Sequence, residues 1–142
     1  IAPNSDAGNE KIFRYLRSYS KKNNFIQTYP NISRSDYLGL LKNCNILIGN
    51  SSSGIIESSW FNTPVINLGL RQRNREKGKN VMDLENPTIQ KIYHEIEKSV
   101  NRKKFKMVRK SIYGNGKSSE KIVRHLIKIP LNKKFLQKQI TY

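Results

Sequence analysis

The sequence predicts an α/β domain built on a parallel sheet with helices on both faces. Segments with helical apolar spacing alternate with short apolar runs along the chain. Two of those runs, residues 45–49 (NILIG) and 64–68 (PVINL), are apolar almost throughout, which is typical of strands buried on both sides. The 142 residues suffice for one domain with a core and are too few for two full domains.

The first half of the chain predicts alternating helices and strands. Residues 10–21 carry apolar side chains at helical spacing, and Asp6 can cap the helix that they predict. In the helix that follows, we expect four apolar residues to face inward, namely Tyr37, Leu38, Leu40 and Leu41. The predicted order is helix 10–21, strand 25–29, helix 33–42, strand 45–49 and helix 54–61.

The second half continues this pattern after the strand at 64–68. Residues 69–79 predict a polar loop that carries Arg71, Arg73 and Arg75. A missing amide costs nothing in the first turn of a helix, and we place Pro87 there. Ser118 or Ser119 is expected to cap the last helix. The remaining predictions are a strand at 81–84, a helix at 87–100, a turn at 113–116 (YGNG), a helix to about 129 and a basic tail at 130–142.

Charge is the most unusual feature of the composition, at a net +17. A basic domain can bind nucleic acid by neutralising phosphates. The lysines are spread along the chain, however, and aromatic residues do not interleave with the basic runs. Nucleic-acid binding therefore stays a secondary alternative, and a Lys-rich solvated surface is the simpler interpretation.

Other features concern the setting of the protein. No apolar run approaches the roughly 18 residues of a membrane span, so we expect no membrane partner. The one cysteine, Cys44, excludes an internal disulfide and a Cys-rich metal site, and it fits a reducing cytoplasm. We expect neither a metal nor a cofactor. The abrupt opening at Ile1, without an initiator Met, suggests a piece of a longer chain.

Residues 49–57 (GNSSSGIIE) lie where a predicted buried strand gives way to a predicted helix. Parallel sheets bind ligands beyond the carboxyl ends of their strands. The first amides of a helix lack internal partners and favour an anion, and the serine hydroxyls add donors. This turn therefore suits a diphosphate. Glu57, which we expect one to two turns inside the helix, is better suited to a pair of hydroxyls such as those of a ribose.

Other interpretations of the same turn fit less well. Gly49 and Gly54 have the spacing of an ATP- or GTP-binding loop, but Ile55 and Ile56 stand where Lys and Ser or Thr are needed. A G-x-S-x-G nucleophile turn fails because Ser53 replaces the second glycine. The dinucleotide fingerprint is absent, and His94 and His125 lie far along the chain in amphipathic helices. A Ser-rich helix cap without a ligand stays open.

The combination of motifs resembles the UDP-N-acetylglucosamine 2-epimerases. It is similar to the hydrolysing branch, which releases UDP and N-acetylmannosamine for sialic-acid-type sugars. The resemblance extends over nearly the whole chain, to about residue 129. The matching segments are 3–8 (PNSDAG), 49–57, 64–69 (PVINLG), Arg71-Gln72, Arg75-Glu76, Asn80-Val81, 113–116 and 119–122 (SEKI).

This resemblance implies the second of two Rossmann-like domains, with the active site between them and the N-terminal domain missing. Residues 1–129 would then form the UDP-binding domain. Ser51 and Ser52 would bind the diphosphate and Glu57 the ribose hydroxyls of UDP. Arg71 is either a phosphate contact or a solvated loop residue, and Asn4 is a candidate contact for uridine or phosphate. The implied partners are a UDP-sugar substrate, the missing domain and a second copy in a homo-oligomer.

The family reaction eliminates UDP across C1 and C2 of the sugar and then adds water. Its proton-handling carboxylates and histidine belong to parts of the family chain that this sequence lacks, so we name no catalytic residue and expect weak UDP binding without turnover. The sequence also has Asn74 where family members tend to have Gly. A sugar-nucleotide glycosyltransferase domain, which shares the two-domain layout, is the related alternative.

Overall fold

The computed structural model describes residues 1–3, 8–101, 111–132 and 137 of the chain. Over these residues helices and short strands alternate, as the sequence predicts for an α/β domain. The strands are β1 (Leu47–Gly49), β2 (Val65–Leu68) and β3 (Val81–Leu84). The helices are α1 (Asn9–Lys22), α2 (Arg34–Asn43), α3 (Ser58–Phe61), α4 (Ile89–Asn101) and α5 (Ser118–Lys128), with a 3₁₀ turn at Ser52–Gly54 before α3.

The described strands form one parallel sheet in the order β1-β2-β3. Its register aligns Gly49 with Asn67 and Asn67 with Asp83, so the carboxyl ends of all three strands lie at one edge. The predicted α/β fold class, a Rossmann-like parallel sheet, is confirmed. Any ligand site of the usual kind for such a sheet belongs at this edge.

The apolar core centres on β2. Val65 and Ile66 are 3% and 1% exposed, and Leu41 of α2 and Ile55 are buried with them. The 3₁₀ turn lies directly against the sheet, because a methyl group added at Gly54 would come within 3.1 Å of Val65 Cγ1. Only glycine gives the turn this close approach, and the packing holds it next to the end of β1.

Buried polar side chains form hydrogen bonds beside the 3₁₀ turn. Asn80 Nδ2 donates to Ser58 Oγ at 2.9 Å and to the Thr63 carbonyl at 2.8 Å. Ser58 Oγ in turn donates to the Gly54 carbonyl at 2.6 Å. All three polar residues are buried, and each hydrogen bond satisfies a group that would otherwise be costly to bury. The chain before β3 is thus tied to the turn at Gly54.

Two strand predictions need correction. The strand expected at 25–29 is wrong, because that segment is irregular and Phe25 is 86% exposed. Its backbone hydrogen bonds join the Ile26 amide to the Asn23 carbonyl and the Ala2 amide to the Tyr29 carbonyl, which is not a ladder. A strand requires a repeated ladder with a neighbour. The run at 45–49 forms only the three residues of β1, and Ile48 is 39% exposed. As an edge strand of the described sheet, β1 is not buried on both sides.

Helix starts also differ from the predictions. α5 begins at Ser118 after Lys117, so neither Ser118 nor Ser119 caps it. Pro87 lies just before α4, where Thr88 Oγ1 accepts a hydrogen bond from the Lys91 amide at 3.3 Å. α1 starts after Gly8, and the predicted cap Asp6 lies outside the described residues. These shifts of one or two residues leave the helix positions close to those predicted.

Several apolar faces remain open. α1 and α5 bury no residue, and Leu40, predicted to face inward, is 53% exposed. Tyr37 and Leu38 are half-buried, so Leu41 is the one fully buried member of the predicted inward set. None of the described helices has the length and apolar character needed to cross a bilayer. The exposed apolar residues of α1 and α5 are Ile12, Tyr15, Leu16, Tyr19, Ile122, Val123, Leu126 and Ile127.

Candidate functional site

The candidate site is the turn that follows β1. Gly49 ends the strand with φ of 155°, a value that favours glycine. Ser51 then caps the 3₁₀ turn, with its Oγ accepting from the Ser53 amide at 3.3 Å. Among the described residues, the amides of Ser51 and Ser52 donate no hydrogen bond. The turn therefore presents two backbone donors at the carboxyl edge of the sheet.

Ser53 has a different role from its neighbours. Its Oγ accepts a hydrogen bond from the Tyr37 hydroxyl at 2.5 Å, which joins the turn to α2. Ser51 is exposed and Ser52 is half-buried, so the sequence-predicted pair stays accessible. The three serines thus divide into one that anchors the turn and two that a ligand can reach.

We expected Glu57 to lie one to two turns inside a helix, and this expectation is wrong. The predicted helix at 54–61 is divided into the 3₁₀ turn, an irregular turn and the four-residue α3, whose N-cap is Glu57. A chain of serines and a glycine favours such breaks, because these residues are poor helix formers. The carboxylate therefore lies at the start of α3, five residues after Ser52 and six after Ser51.

The Glu57 side chain is 24% exposed and lies 3.7 Å from Nη1 of Arg34, measured at Oε1. Arg34 is itself 78% exposed, so this long ion pair is solvated and contributes little to stability. The carboxylate is therefore neither in the core nor neutralised by a buried base. It can exchange its arginine contact for hydroxyl donors of a ligand.

The loop between β2 and β3 is held against the sheet by several contacts. Lys77 Nζ lies 2.9 Å from Asp83 Oδ2, and Arg73 Nε lies 3.2 Å from Glu85 Oε1. The Tyr113 hydroxyl donates to the Glu76 carbonyl at 2.5 Å, which ties the 113–116 turn to the same loop. Arg71 lies exposed in this loop. Its backbone position is consequently fixed by its neighbours.

Gln72 joins the loop to the serine turn. Its Nε2 donates to the Asn50 carbonyl at 3.0 Å, and the residue is only 3% exposed. Gln72 follows Arg71, and Asn50 precedes Ser51. Their contact therefore brings the β2–β3 loop at Arg71 next to the serine turn. The sequence offered Gln72 only as part of an Arg-Gln motif, with no role of its own.

A second polar pair lies at the same edge of the sheet. Asn67 Nδ2 donates to Asp83 Oδ1 at 2.7 Å across the register that aligns them. Asn67 is 1% exposed, and its Oδ1 has no partner among the described residues. Sequence analysis missed this pair, since only the strand register shows that the two residues are opposite each other.

The other candidates fall elsewhere. Asn4 lies outside the described residues. His94 and His125 are exposed on α4 and α5. An open cavity of about 550 Å³ between the end of β3 and α4 includes His94 and Glu95 but none of the predicted site residues. Within the described part of the chain, no group of His, Cys, Asp or Glu could hold a metal ion.

Fold and turn together define a class. The chain is an α/β protein with a carboxylate and two amides that have no acceptor in the described part of the chain, at the carboxyl edge of a parallel sheet, where proteins of this class bind nucleotides. The chain belongs to the UDP-N-acetylglucosamine 2-epimerase family, whose model matches residues 1–127. The family resemblance that the sequence motifs carried is confirmed.

Three individual relatives are between 34% and 38% identical to this chain over the aligned residues. The chain is 34% identical over all 142 residues to UDP-N,N'-diacetylbacillosamine 2-epimerase (hydrolyzing) of Legionella pneumophila, and it spans 37% of that protein. It is 36% identical over 105 residues to UDP-N-acetylglucosamine 2-epimerase of Neisseria meningitidis, covering 74% of this chain and 27% of the relative. The polysialic acid biosynthesis protein P7 of Escherichia coli is 38% identical over 84 residues, 59% of this chain and 21% of the relative.

Proposed function

We propose that this chain is the UDP-binding domain of a hydrolysing UDP-N-acetylglucosamine 2-epimerase. The reaction converts a UDP-linked 2-acetamido sugar and water into the 2-epimeric free sugar and UDP, by elimination of UDP followed by hydration. One observation carries the proposal: the amides of Ser51 and Ser52, which have no acceptor among the described residues, lie five to six residues before the half-buried carboxylate of Glu57. That combination has a donor end for phosphate and an acceptor end for sugar hydroxyls.

The donor end accounts for the leaving group. Elimination of UDP builds negative charge on the diphosphate, and fixed backbone donors stabilise such charge without reorganisation. The amides of Ser51 and Ser52 belong to a turn that is packed on the sheet through Gly54 and bonded to α2 through Ser53. Their rigid placement suits them to this task. The net charge of +17 adds a favourable field for an anionic ligand.

The acceptor end accounts for the nucleoside. A carboxylate repels phosphate at short range but accepts two hydrogen bonds from neighbouring hydroxyls. Glu57 has a solvated arginine at 3.7 Å and no closer side-chain partner among the described residues. The ribose of UDP can replace that contact. We therefore assign the 2′- and 3′-hydroxyls to Glu57.

Arg71 and Asn4 complete the proposed UDP contacts. Arg71 is adjacent to Gln72, whose side chain contacts Asn50 beside the two donor serines. A guanidinium there can pair with a phosphate oxygen. Asn4 is carried by the resemblance of the segment 3–8 to the family motif, as a contact for uridine or phosphate. The second domain, a homo-oligomer and a cytoplasmic location are parts of the same proposal.

The sugar of the substrate is proposed as a class. The Legionella pneumophila relative and a Campylobacter jejuni relative, 37% identical over 95 residues, are named for N,N'-diacetylbacillosamine, and the Neisseria meningitidis relative for N-acetylglucosamine. All three names share an acetamido sugar linked to a nucleoside diphosphate. The proposed reaction needs the hydrogen at C2 beside that acetamido group.

Titration of the 142-residue chain with UDP and with 2′,3′-dideoxy-UDP tests the proposal. We expect wild type to bind UDP more tightly than the dideoxy analogue. Glu57→Gln should weaken UDP binding about tenfold or more, a loss of roughly 1–3 kcal/mol, and remove the preference for UDP over the analogue. Glu97→Gln, on the exposed face of α4, is the matched control and should leave both affinities unchanged.

Two results would contradict the proposal. One is failure of wild type to bind UDP in a folded state. The other is equal affinity for UDP and the dideoxy analogue in wild type, which would remove Glu57 from the ribose. A steep fall of affinity for nucleic acid with salt, together with no UDP binding, would instead favour the polyanion alternative.

A further inference from the structure

Gln72 makes a contact that fixes the orientation of a peptide group in the site. Its Nε2 lies 3.0 Å from the Asn50 carbonyl oxygen. A carbonyl oxygen only accepts, so the contact requires the NH₂ end of the amide and defines which way the side chain is turned. With 3% of the residue exposed, surrounding atoms hold the side chain in this position.

The consequence for Ser51 follows from peptide geometry. The Asn50 carbonyl and the Ser51 amide belong to one planar trans peptide unit, in which C=O and N–H point in opposite directions. Holding the carbonyl toward Gln72 therefore turns the Ser51 N–H away from Gln72. That N–H is one of the two amides without an acceptor among the described residues.

Burying the Gln72 side chain has a free-energy cost as well as a benefit. Oε1 is buried and has no partner within the described part of the chain, which carries a free-energy cost. An apolar side chain of the same size would avoid this cost. The hydrogen bond to the Asn50 carbonyl offsets this cost. It stabilises the serine turn rather than the core.

We infer that Gln72 is a positioning residue for the diphosphate of the ligand. It orients the Ser51 N–H toward the phosphate without touching the ligand itself. The inference rests on the proposed function, because it assumes that UDP binds at this turn. It adds a residue from the β2–β3 loop to the machinery of the site and couples that loop to the serine turn.

The test compares ligands with and without phosphate. Gln72→Met keeps the size of the side chain and removes the donor. In the 142-residue chain we expect the UDP dissociation constant to rise about tenfold, as for loss of a hydrogen bond to a charged group. Uridine, followed by saturation-transfer NMR, should bind with an unchanged constant. Gln90→Met on the exposed face of α4 makes the same exchange away from the serine turn and should change neither value.

Gln72→Glu supplies an independent readout. At pH 7.5 its carboxylate has no hydrogen to donate to the Asn50 carbonyl, so UDP binding should be weaker than in wild type. At pH 5 a protonated carboxyl group can donate, and the ratio of variant to wild-type affinity should recover. An effect of side-chain size alone would not produce this recovery, and the variant tests the inference if Gln72→Met does not fold.

The outcomes separate the inference from the proposed function. No UDP binding by wild type removes the proposed function and leaves no ligand for Gln72 to serve. Normal UDP binding by Gln72→Met overturns the inference alone. Equal weakening of uridine and UDP also overturns it, since that result means a disordered site rather than a misdirected amide.

Discussion

Among individual residues, polar side chains add directional contacts to the packing that holds the serine turn in place. Tyr37 bonds to Ser53, Gln72 bonds to Asn50, and Ser58 bonds to the Gly54 carbonyl. Hydrogen bonds are directional, whereas apolar contacts tolerate small displacements. These hydrogen bonds therefore give the turn a defined orientation in addition to its packing on the sheet. The proposed diphosphate contact depends on that orientation.

Cys44 allows a prediction at this scale. Burial raises the pKa of its thiol above the ordinary value, so the folded chain holds the proton to higher pH than the unfolded chain. The stabilisation from this group is complete below the ordinary thiol pKa and is lost as the pH rises above it. We expect alkylation of Cys44 by iodoacetamide at pH 8 to be several-fold slower in the native chain than in urea.

The control for this experiment is the same chain in urea, where the thiol is solvated. A native rate equal to the rate in urea would show that Cys44 is not protected. The measurement is unambiguous because the chain contains one cysteine.

Among the elements, those with strong periodicity were predictable and those that depend on neighbours were not. α1, α2, α4 and α5 lie within about two residues of their predicted positions, since apolar spacing and chain breakers are local signals. The segment 25–29 has the composition of a strand but lacks a ladder, and no local signal reports a missing neighbour. β2 was predicted well because buried apolar runs are short and sharply bounded. β3 also has its predicted bounds, although it is only half-buried and contains the exposed Asp83.

The candidate site likewise contains features that local sequence predicts and contacts that it does not. Ser51, Ser52 and Glu57 lie within seven residues of sequence, so a sequence motif could place them in one short segment. Gln72 and Asn50 are far apart along the chain and meet only through packing of the β2–β3 loop. Asn67 and Asp83 meet through strand register. A single sequence contains no direct signal for such pairs, which is why these contacts were not predicted.

α2 provides a prediction at the element scale. Ser33 caps this helix, with its Oγ accepting from the Asp36 amide at 3.1 Å and donating to Asp36 Oδ2 at 2.7 Å. Ser33→Ala removes both bonds, and we expect a loss of about 1 kcal/mol in the free energy of unfolding. Urea denaturation followed by circular dichroism measures it.

Ser18→Ala in α1 is the matched control. Ser18 is exposed within a helix, so its replacement should change stability by less than about 0.5 kcal/mol. Equal effects of the two substitutions would mean that the cap does not stabilise α2. A loss confined to Ser33→Ala would establish the cap as an element that supports Tyr37 and, through it, the serine turn.

For the whole molecule, the decisive fact is that the chain spans 37% of its Legionella pneumophila relative. In the proposed complex, the carboxylate of Glu57 binds the ribose rather than the acetamido sugar. Removal of the C2 proton requires a general base within hydrogen-bond reach of that proton. The proposed site of this chain provides stabilisation of the leaving group and no such base.

We therefore expect the 142-residue chain to release no UDP from UDP-N-acetylglucosamine, or from the diacetamido analogue, above the rate in buffer. A coupled assay for UDP measures this, with the Neisseria meningitidis relative as the positive control for the first substrate. Turnover by the chain alone would show that its own residues supply the base. Binding without turnover would agree with a domain that holds the nucleotide.

The position of β1 in the sheet has a consequence for association. Among the described strands β1 has one neighbour, so its outer peptide groups pair with no other described strand, and Ile48 beside them is partly exposed. Such a border can template the addition of an extended polypeptide, including another copy of the same chain. Because every copy carries a charge of +17, mutual repulsion opposes that addition. The positive charge that first suggested a polyanion partner thus opposes self-association through β1. Added salt screens this repulsion and weakens it.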